Sequence, residues 1–366
     1  MIAPTAAPPL PPAIVQPAAY QASFGLVTGT VGPGTARVRV SIGSRVLADR
    51  PLRGRRFSLR VDLPPRDVVV RVTAVGAGGA RRTSSVGPVF GLPRAAEPRV
   101  APTHADPALA RTVRRLAAGF HGTSAIYVQS LLSGAGAAWN AKARFPAAST
   151  LKLAIALAVL AGNDGVPAPG SWVDGRLHAM LWQSDNAAAN ELEAWLGGAH
   201  RVDALLQALG LRDTIMYGGY ETNGLRTLQG PIPIRVESQP QFGLGKYTTA
   251  WDLARLWRDT WQAAGGRGPI ATASRGAITA AEARYLLRLL ALVGDRGKLD
   301  RFLGGGDVVL HKAGWLSTGR HDAGVILWPG GAVLATVLTW NPNGVGGSSD
   351  ALAGRVAEAV RLRFAG

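Results

Sequence analysis

Residues 144–162 read RFPAASTLKLAIALAVLAG. Pro146 and two alanines lead into Ser149-Thr150-Leu151-Lys152, and the apolar run 153–162 follows. The run reads as a helix, with Ser149 at its start. At a helix start, Ser149 and Lys152 stand at i and i+3 and share a face. A serine there sits at the positive end of the helix dipole, with its own N–H free to face an oxyanion. A lysine whose ammonium form is disfavoured by burial can take the serine proton. Read alone, the same four residues also describe a helix capped by Ser or Thr with a solvated lysine.

Lysine is scarce elsewhere. The chain holds 40 Lys and Arg, of which only Lys142, Lys152, Lys246, Lys298 and Lys312 are lysine. Downstream, MLWQSDNAAANELEAWLGG (180–198) carries Ser184-Asp185-Asn186. This triplet offers a second hydroxyl for proton relay and an amide for a substrate carbonyl, though all three residues are also ordinary helix caps. Further on, the apolar strand DVVLH ends in Lys312-Ala313-Gly314. A lysine on a strand edge, followed by a small residue and glycine, lets a substrate lie along the strand with its carboxylate at the ammonium. An exposed edge lysine is the plainer alternative.

Together the three motifs weigh more than singly. S-x-x-K, SDN and K-x-G occur in order, at a helix start, in a helical block and at a strand end, and two of the five lysines fall in them. That set is the signature of class A β-lactamases and penicillin-binding proteins. Residues 104–366 resemble the class A β-lactamase family of serine hydrolases. RFPAASTLK, SDNAAAN with Asn190, the pair Gly197-Gly198, and YTTAWDLARL at 247–256 extend the similarity. The resemblance implies that Ser149 is the acylated nucleophile and Lys152 its base. Ser184 would pass the proton to the leaving nitrogen, Asn186 would hold the substrate amide, and Lys312 would hold its carboxylate. Backbone N–H groups of Ser149 and Trp315, beside Gly314, would form the oxyanion hole. No cofactor or metal is implied, and no H-E-x-x-H or clustered carboxylate pattern suggests one.

Several departures stand out. Ser149 and Ser184 are 35 residues apart, shorter than usual for the family, whereas Ser184 and Lys312 are 128 apart, longer than usual. Ala313 stands where a hydroxyl residue is normal; Thr318 or Arg320 could supply the missing donor. Deacylation in class A needs a glutamate after SDN, and between 214 and 246 only Glu221 and Glu237 are acidic. Glu221, in GGYETNGL with Asn223 nearby, is the candidate base, although the motif does not match cleanly. Of the histidines, His311 should face away from Lys312 and pack, and His321-Asp322 could line the mouth of the site. Trp182, Trp195, Trp251 and Trp257 lie at helical spacing and read as core.

The 366-residue length suits more than one domain. Residues 1–22 are proline-rich and read as a linker or loose leading strand, without the basic start of a signal peptide. From 23 to 93, ARVRVSIG, RRFSLRVDL and DVVVRVTAVG alternate at period two between turn signals, which suggests an immunoglobulin-like β-sandwich. A linker spans 94–103. In the 104–366 region, helix, paired strands, a helical lobe, then strands and a capped final helix imply an antiparallel sheet flanked by helices. The fold class is thus multidomain α+β.

Net charge is +17 and cysteine is absent, which removes a thiol nucleophile, disulfides and zinc–thiolate sites. Residues 1–98 hold 13 arginines against four carboxylates, a net +9. Such charge suits an anionic wall polymer. Specific nucleic-acid binding is not expected, because the basic residues are dispersed and not interleaved with aromatics. No stretch approaches the roughly 20 apolar residues of a membrane span. The expected substrates are a β-lactam or a peptide ending in D-Ala-D-Ala. Hydrolysis of the β-lactam leads, a carboxypeptidase or esterase/amidase activity is the alternative, and a catalytically impaired wall- or ligand-binding protein comes third. The family resemblance implies an exported location.

Overall fold

The computed structural model describes residues 9–220, 239–242 and 245–365. The chain divides into two units, Met1–Glu97 and Pro98–Gly366.

In the first unit β1 (Ala13–Gln16), β3 (Leu26–Thr30) and β6 (Arg56–Arg60) form one sheet. The second sheet runs β2 (Gln21–Ser23), β8 (Arg81–Gly91), β7 (Asp67–Gly76), β4 (Thr35–Ile42) and β5 (Arg45–Pro51). Alternation decides which face is buried: Val68, Val70, Val72 and Ala74 of β7 point inward while Val69 and Arg71 face out. Both sheets feed one core, with Val27 and Phe57 from the first and Val38, Val40, Val70 and Val89 from the second. Among the described residues the first strand starts at Ala13, inside the stretch read as a proline-rich linker or loose leading strand. Its prolines flank the short strands instead of interrupting them, where a missing N–H costs no ladder bond.

The second unit is built on a six-stranded sheet of order β14 (Val308–Trp315), β15 (Arg320–Trp328), β16 (Gly331–Trp340), β10 (Thr123–Ser130), β11 (Ala135–Trp139) and β9 (His104–Ala105). All pairings are antiparallel except that of β9 with β11. α1 (Pro107–Ala118) and α9 (Gly347–Arg363) cover one face, through Leu109, Val113, Val356 and Val360. α6 (Ala250–Ala263) and α8 (Ala280–Ala291) pack on β14, β15 and β16. Helices on both faces bury these strands twice over, which is why β15 and β16 read as nearly continuous apolar runs. α9 starts at Gly346 without a side-chain cap, unlike the capped final helix expected from the sequence.

The helical lobe comprises α2 (Lys152–Gly162), α3 (Trp172–Trp182), α4 (Asn186–Leu196) and α5 (His200–Ala208); the short α7 (Ile270–Ala273) follows α6. α2 is buried along its length, from Lys152 to Leu160. Of the four tryptophans read as core, only Trp257 is buried; Trp182, Trp195 and Trp251 are between 36% and 48% exposed. They lie on partly exposed helix faces, where part of a ring still packs, as Trp251 does edge-on against Tyr127. No helix among the described residues is long and apolar enough to cross a membrane.

Candidate active site

The nucleophile turn is held by a small ribbon. β12 (Arg144–Pro146) pairs antiparallel with β13 (Tyr247–Thr249), and Ala147 N donates to Lys246 O at 2.9 Å. After it the chain makes a 3₁₀ turn over Ala148–Leu151, with Ala148 in the left-handed region at φ 48°. α2 proper begins only at Lys152. Ser149 is therefore not a capping residue, and the side chain that closes the turn is Thr150, whose Oγ1 donates to Ala147 O at 2.6 Å. That leaves the Ser149 hydroxyl, half-buried, available for chemistry.

The SDN triplet divides its labour. Asp185 caps α4, accepting from Ala187 N and Ala188 N. Ser184, just before it, adopts φ 58°, a conformation unusual for a non-glycine residue. This turn presents Ser184 and Asn186 to the two buried lysines. Lys152 Nζ donates to Ser184 O at 2.5 Å and to Asn186 Oδ1 at 2.6 Å, and lies 3.4 Å from Ser184 Oγ. Lys312 Nζ donates to Ser184 Oγ at 2.9 Å and to Ala313 O at 3.0 Å. One hydroxyl thus bridges two ammonium-bearing side chains that lie 160 positions apart in sequence. Neither lysine has measurable exposure.

Burial lowers both lysines. Lys152 is brought down to about 7, by desolvation first and the Lys312 charge second. Lys312 falls to about 8 through desolvation, opposed by Asp295 and Asp322. A neutral Lys152 amine has two N–H groups. Ser184 O and Asn186 Oδ1 accept both, so the lone pair is left to accept a proton.

β14 closes the site from the other side. An ideal Cβ on Gly314 would lie 2.7 Å from Ser149 N and 2.9 Å from Thr150 N. The strand can approach the nucleophile turn this closely only because residue 314 has no side chain. Trp315, the last residue of β14, is 67% exposed beside it. Ala313 is buried. Of the two substitutes expected for its missing hydroxyl, Arg320 is ion-paired with Asp350 of α9 at 2.5 Å, and Thr318 lies half-buried in the β14–β15 turn.

His311 packs away from Lys312, as expected, and is fully buried against Asp322, with Nδ1 2.9 Å from the carboxylate. Asp322 also accepts from Leu299 N at 3.1 Å. The His321-Asp322 pair does not line the mouth of the site, for both residues are about 1% exposed. His321 is a strut instead. Its Nε2 donates to Pro146 O at 2.7 Å and its Nδ1 accepts from Thr339 N, joining the sheet to the strand ahead of the nucleophile. Burial pushes His321 down to about 4, so it stays neutral in this role.

Glu221, the candidate deacylating base, lies outside the described residues, as do Asn223 and Glu237. Its neighbour Tyr220 is described and belongs to the site, which sequence reasoning missed. Tyr220 N donates to Asn190 Oδ1 at 2.6 Å and Asn190 Nδ2 returns a bond to Tyr220 O at 2.9 Å. The Tyr220 hydroxyl donates to Ala148 O at 3.1 Å, and its ring centroid is 4.6 Å from Lys152 Nζ and 4.5 Å from Lys246 Nζ. Lys246 in turn donates to Gly219 O. The carboxyl of Glu193 is also buried, with Oε1 lacking a hydrogen-bond partner among the described residues, and burial raises it to about 7. The scarcity of lysine was the one available pointer: three of the five meet here.

The model of the β-lactamase enzyme family matches residues 108–164 and 175–364. No curated protein sequence matches the chain. Among solved structures, PBP-A is similar at 21% identity, covering 73% of this chain and 99% of its own, with a TM-score of 0.58. A PBP-A variant, solved as an acyl-enzyme complex with penicillin G, is similar at 20% identity over 73% and 99%, with a TM-score of 0.55. A β-lactamase from Xanthomonas campestris pv. campestris has 21% identity over 71% and 98%, with a TM-score of 0.56. With its α+β fold, Lys152, Ser184, Asn186 and Lys312 joined by hydrogen bonds and a family match over most of its length, this chain belongs to the β-lactamase enzyme family of serine hydrolases.

Proposed function

We propose that the protein forms an acyl-enzyme at Ser149 with a β-lactam and hydrolyses it, as class A β-lactamases do. The observation that carries this reading is the chain of contacts Lys152–Ser184–Lys312, one hydroxyl shared by two buried lysines whose proton affinities burial has lowered. Lys152 accepts the Ser149 proton as Oγ attacks the lactam carbonyl. The N–H groups of Ser149 and Trp315 stabilise the tetrahedral oxyanion. Ser184, which accepts a hydrogen bond from Lys312, gives its own proton to the departing nitrogen and takes back the one held by Lys152. Asn186 orients the acyl side chain, and Lys312 holds the substrate carboxylate. Water then releases the acid, with Glu221 as the base that activates it.

The same steps on a peptide ending in D-Ala-D-Ala would make the protein a carboxypeptidase. The packing of Tyr220 beside Lys152 favours slow release, which is how a penicillin-binding protein behaves. Intact mass spectrometry after mixing with benzylpenicillin separates the readings. A mass gain equal to one penicillin, absent in Ser149→Ala, is the expected result. Loss of that gain within seconds supports hydrolysis, persistence supports trapping, and no adduct after prolonged exposure overturns the acyl-enzyme reading altogether.

The proposal extends to the first unit, taken as an immunoglobulin-like sandwich on an exported protein. Its net +9 suits an anionic wall polymer. Co-sedimentation of the full chain with polyanion-bearing cell wall should fall steeply between about 50 and 200 mM salt, as for any binding by ion release. Salt-independent or absent sedimentation counts against it.

A further inference from the structure

We infer that Tyr220 sets the lifetime of the acyl-enzyme, by sealing the Lys152 side of the nucleophile turn against water. This rests on the acyl-enzyme reading above and concerns the step after it. Three contacts carry it. The hydroxyl donates to the carbonyl of Ala148, the strained residue directly before Ser149. The ring centroid lies 4.6 Å from Lys152 Nζ and 4.5 Å from Lys246 Nζ. The backbone is clamped in both directions by Asn190, and the approach is tight: a Cβ on Gly219 would lie 2.7 Å from Asn190 Oδ1. Tyr220 is therefore fixed at main chain, ring and hydroxyl at once, and it is buried.

The consequence concerns water. Hydrolysis of a Ser149 ester needs a water about 3–3.5 Å from the carbonyl carbon, together with a base to take its proton. Besides Glu221, proposed above as the base, Lys152 could take that proton on this side of the turn. Its two amine protons are committed to Ser184 O and Asn186 Oδ1, and an aromatic face covers another side of the nitrogen. A phenyl face attracts a cation but gives a water no strong hydrogen bond. Removing the ring would leave a space lined by Lys152 Nζ, Lys246 Nζ and the Ala148 carbonyl. A space that polar and that large fills with water.

Two variants of the full chain test this, with benzylpenicillin as the acyl donor and intact mass as the readout. Tyr220→Ala should shorten the acyl-enzyme half-life at least about tenfold. Tyr220→Phe keeps the ring and both ammonium contacts and loses only the hydroxyl. It should retain the wild-type half-life, while acylation slows by about 2–10-fold as the hydrogen bond to Ala148 is lost. Restoration by phenylalanine distinguishes a seal from a general loosening of the fold, which thermal unfolding of both variants monitors. An unchanged or longer half-life in a folded Tyr220→Ala protein overturns the inference while leaving the acyl-enzyme reading intact. A wild-type protein that forms no adduct overturns both, and the two failures are distinguished by that one control.

Discussion

Lys152→Ala lowers the rate of Ser149 acylation by about 10³-fold, within the span that a positioned general base contributes. The expectation follows from how the side chain is held. It is buried, its two acceptors are Ser184 O and Asn186 Oδ1, and it is brought down to about 7. The neutral amine is the form that accepts a proton, so acylation in the wild type climbs as pH passes about 7 and drops about tenfold per unit below it. Lys312 acts in its charged form and titrates at about 8, so for a carboxylate-bearing substrate a second limb lowers the rate above that pH. The profile is a narrow bell between these two limbs. Lys152→Ala should remove the acid limb along with the rate, and an acyl donor lacking a carboxylate should lose the alkaline limb. Stopped-flow acylation from pH 5 to pH 10 measures both. A Lys152→Ala protein that acylates at the wild-type rate, or that keeps the acid limb, eliminates Lys152 as the base.

The residues behind that prediction were legible in the sequence because their chemistry is rare in this chain. Arginine supplies most of the positive charge, so a lysine one helical turn after a serine and another beside a strand-end glycine stand out. The sheet was legible for a related reason: strands covered on both faces become unbroken apolar runs, as in β15 and β16. What escaped depends on tertiary contact. Tyr220 reaches Ala148 across 72 positions, and Asn190 reaches Tyr220 across 30. A tyrosine in a glycine-rich loop carries no local sign of either partner. Arg320 looked available to a substrate until α9 supplied Asp350, and His321 looked available until Pro146 and Thr339 took both its nitrogens. Trp182, Trp195 and Trp251 share their spacing with buried residues, and periodicity alone does not tell a helix edge from its centre.

Gly314→Ala should cost about 10²–10³ in acylation, the loss associated with one misplaced oxyanion donor. The methyl group would have to sit 2.7 Å from Ser149 N, 2.9 Å from Thr150 N and 3.0 Å from Ala148 Cβ, and two of those three atoms are backbone. Backbone at that distance has to move. The nucleophile turn is held against moving from three other directions, by Ala147 N on Lys246 O, by the Tyr220 hydroxyl on Ala148 O and by His321 on Pro146 O. The strain therefore falls on the gap between β14 and the turn, which is where the N–H groups of Ser149 and Trp315 must converge on one oxygen. The proton chain through Lys152, Ser184 and Lys312 does not pass through this contact, so the pH limbs should keep their positions while the plateau drops. That combination separates a distorted oxyanion hole from a damaged base. Gly304→Ala is the matched control, since a Cβ there meets nothing within 4 Å and should leave the rate unaltered. If a folded Gly314→Ala protein acylates as fast as wild type, the close approach of strand to turn is only packing, and the oxyanion donors must lie elsewhere.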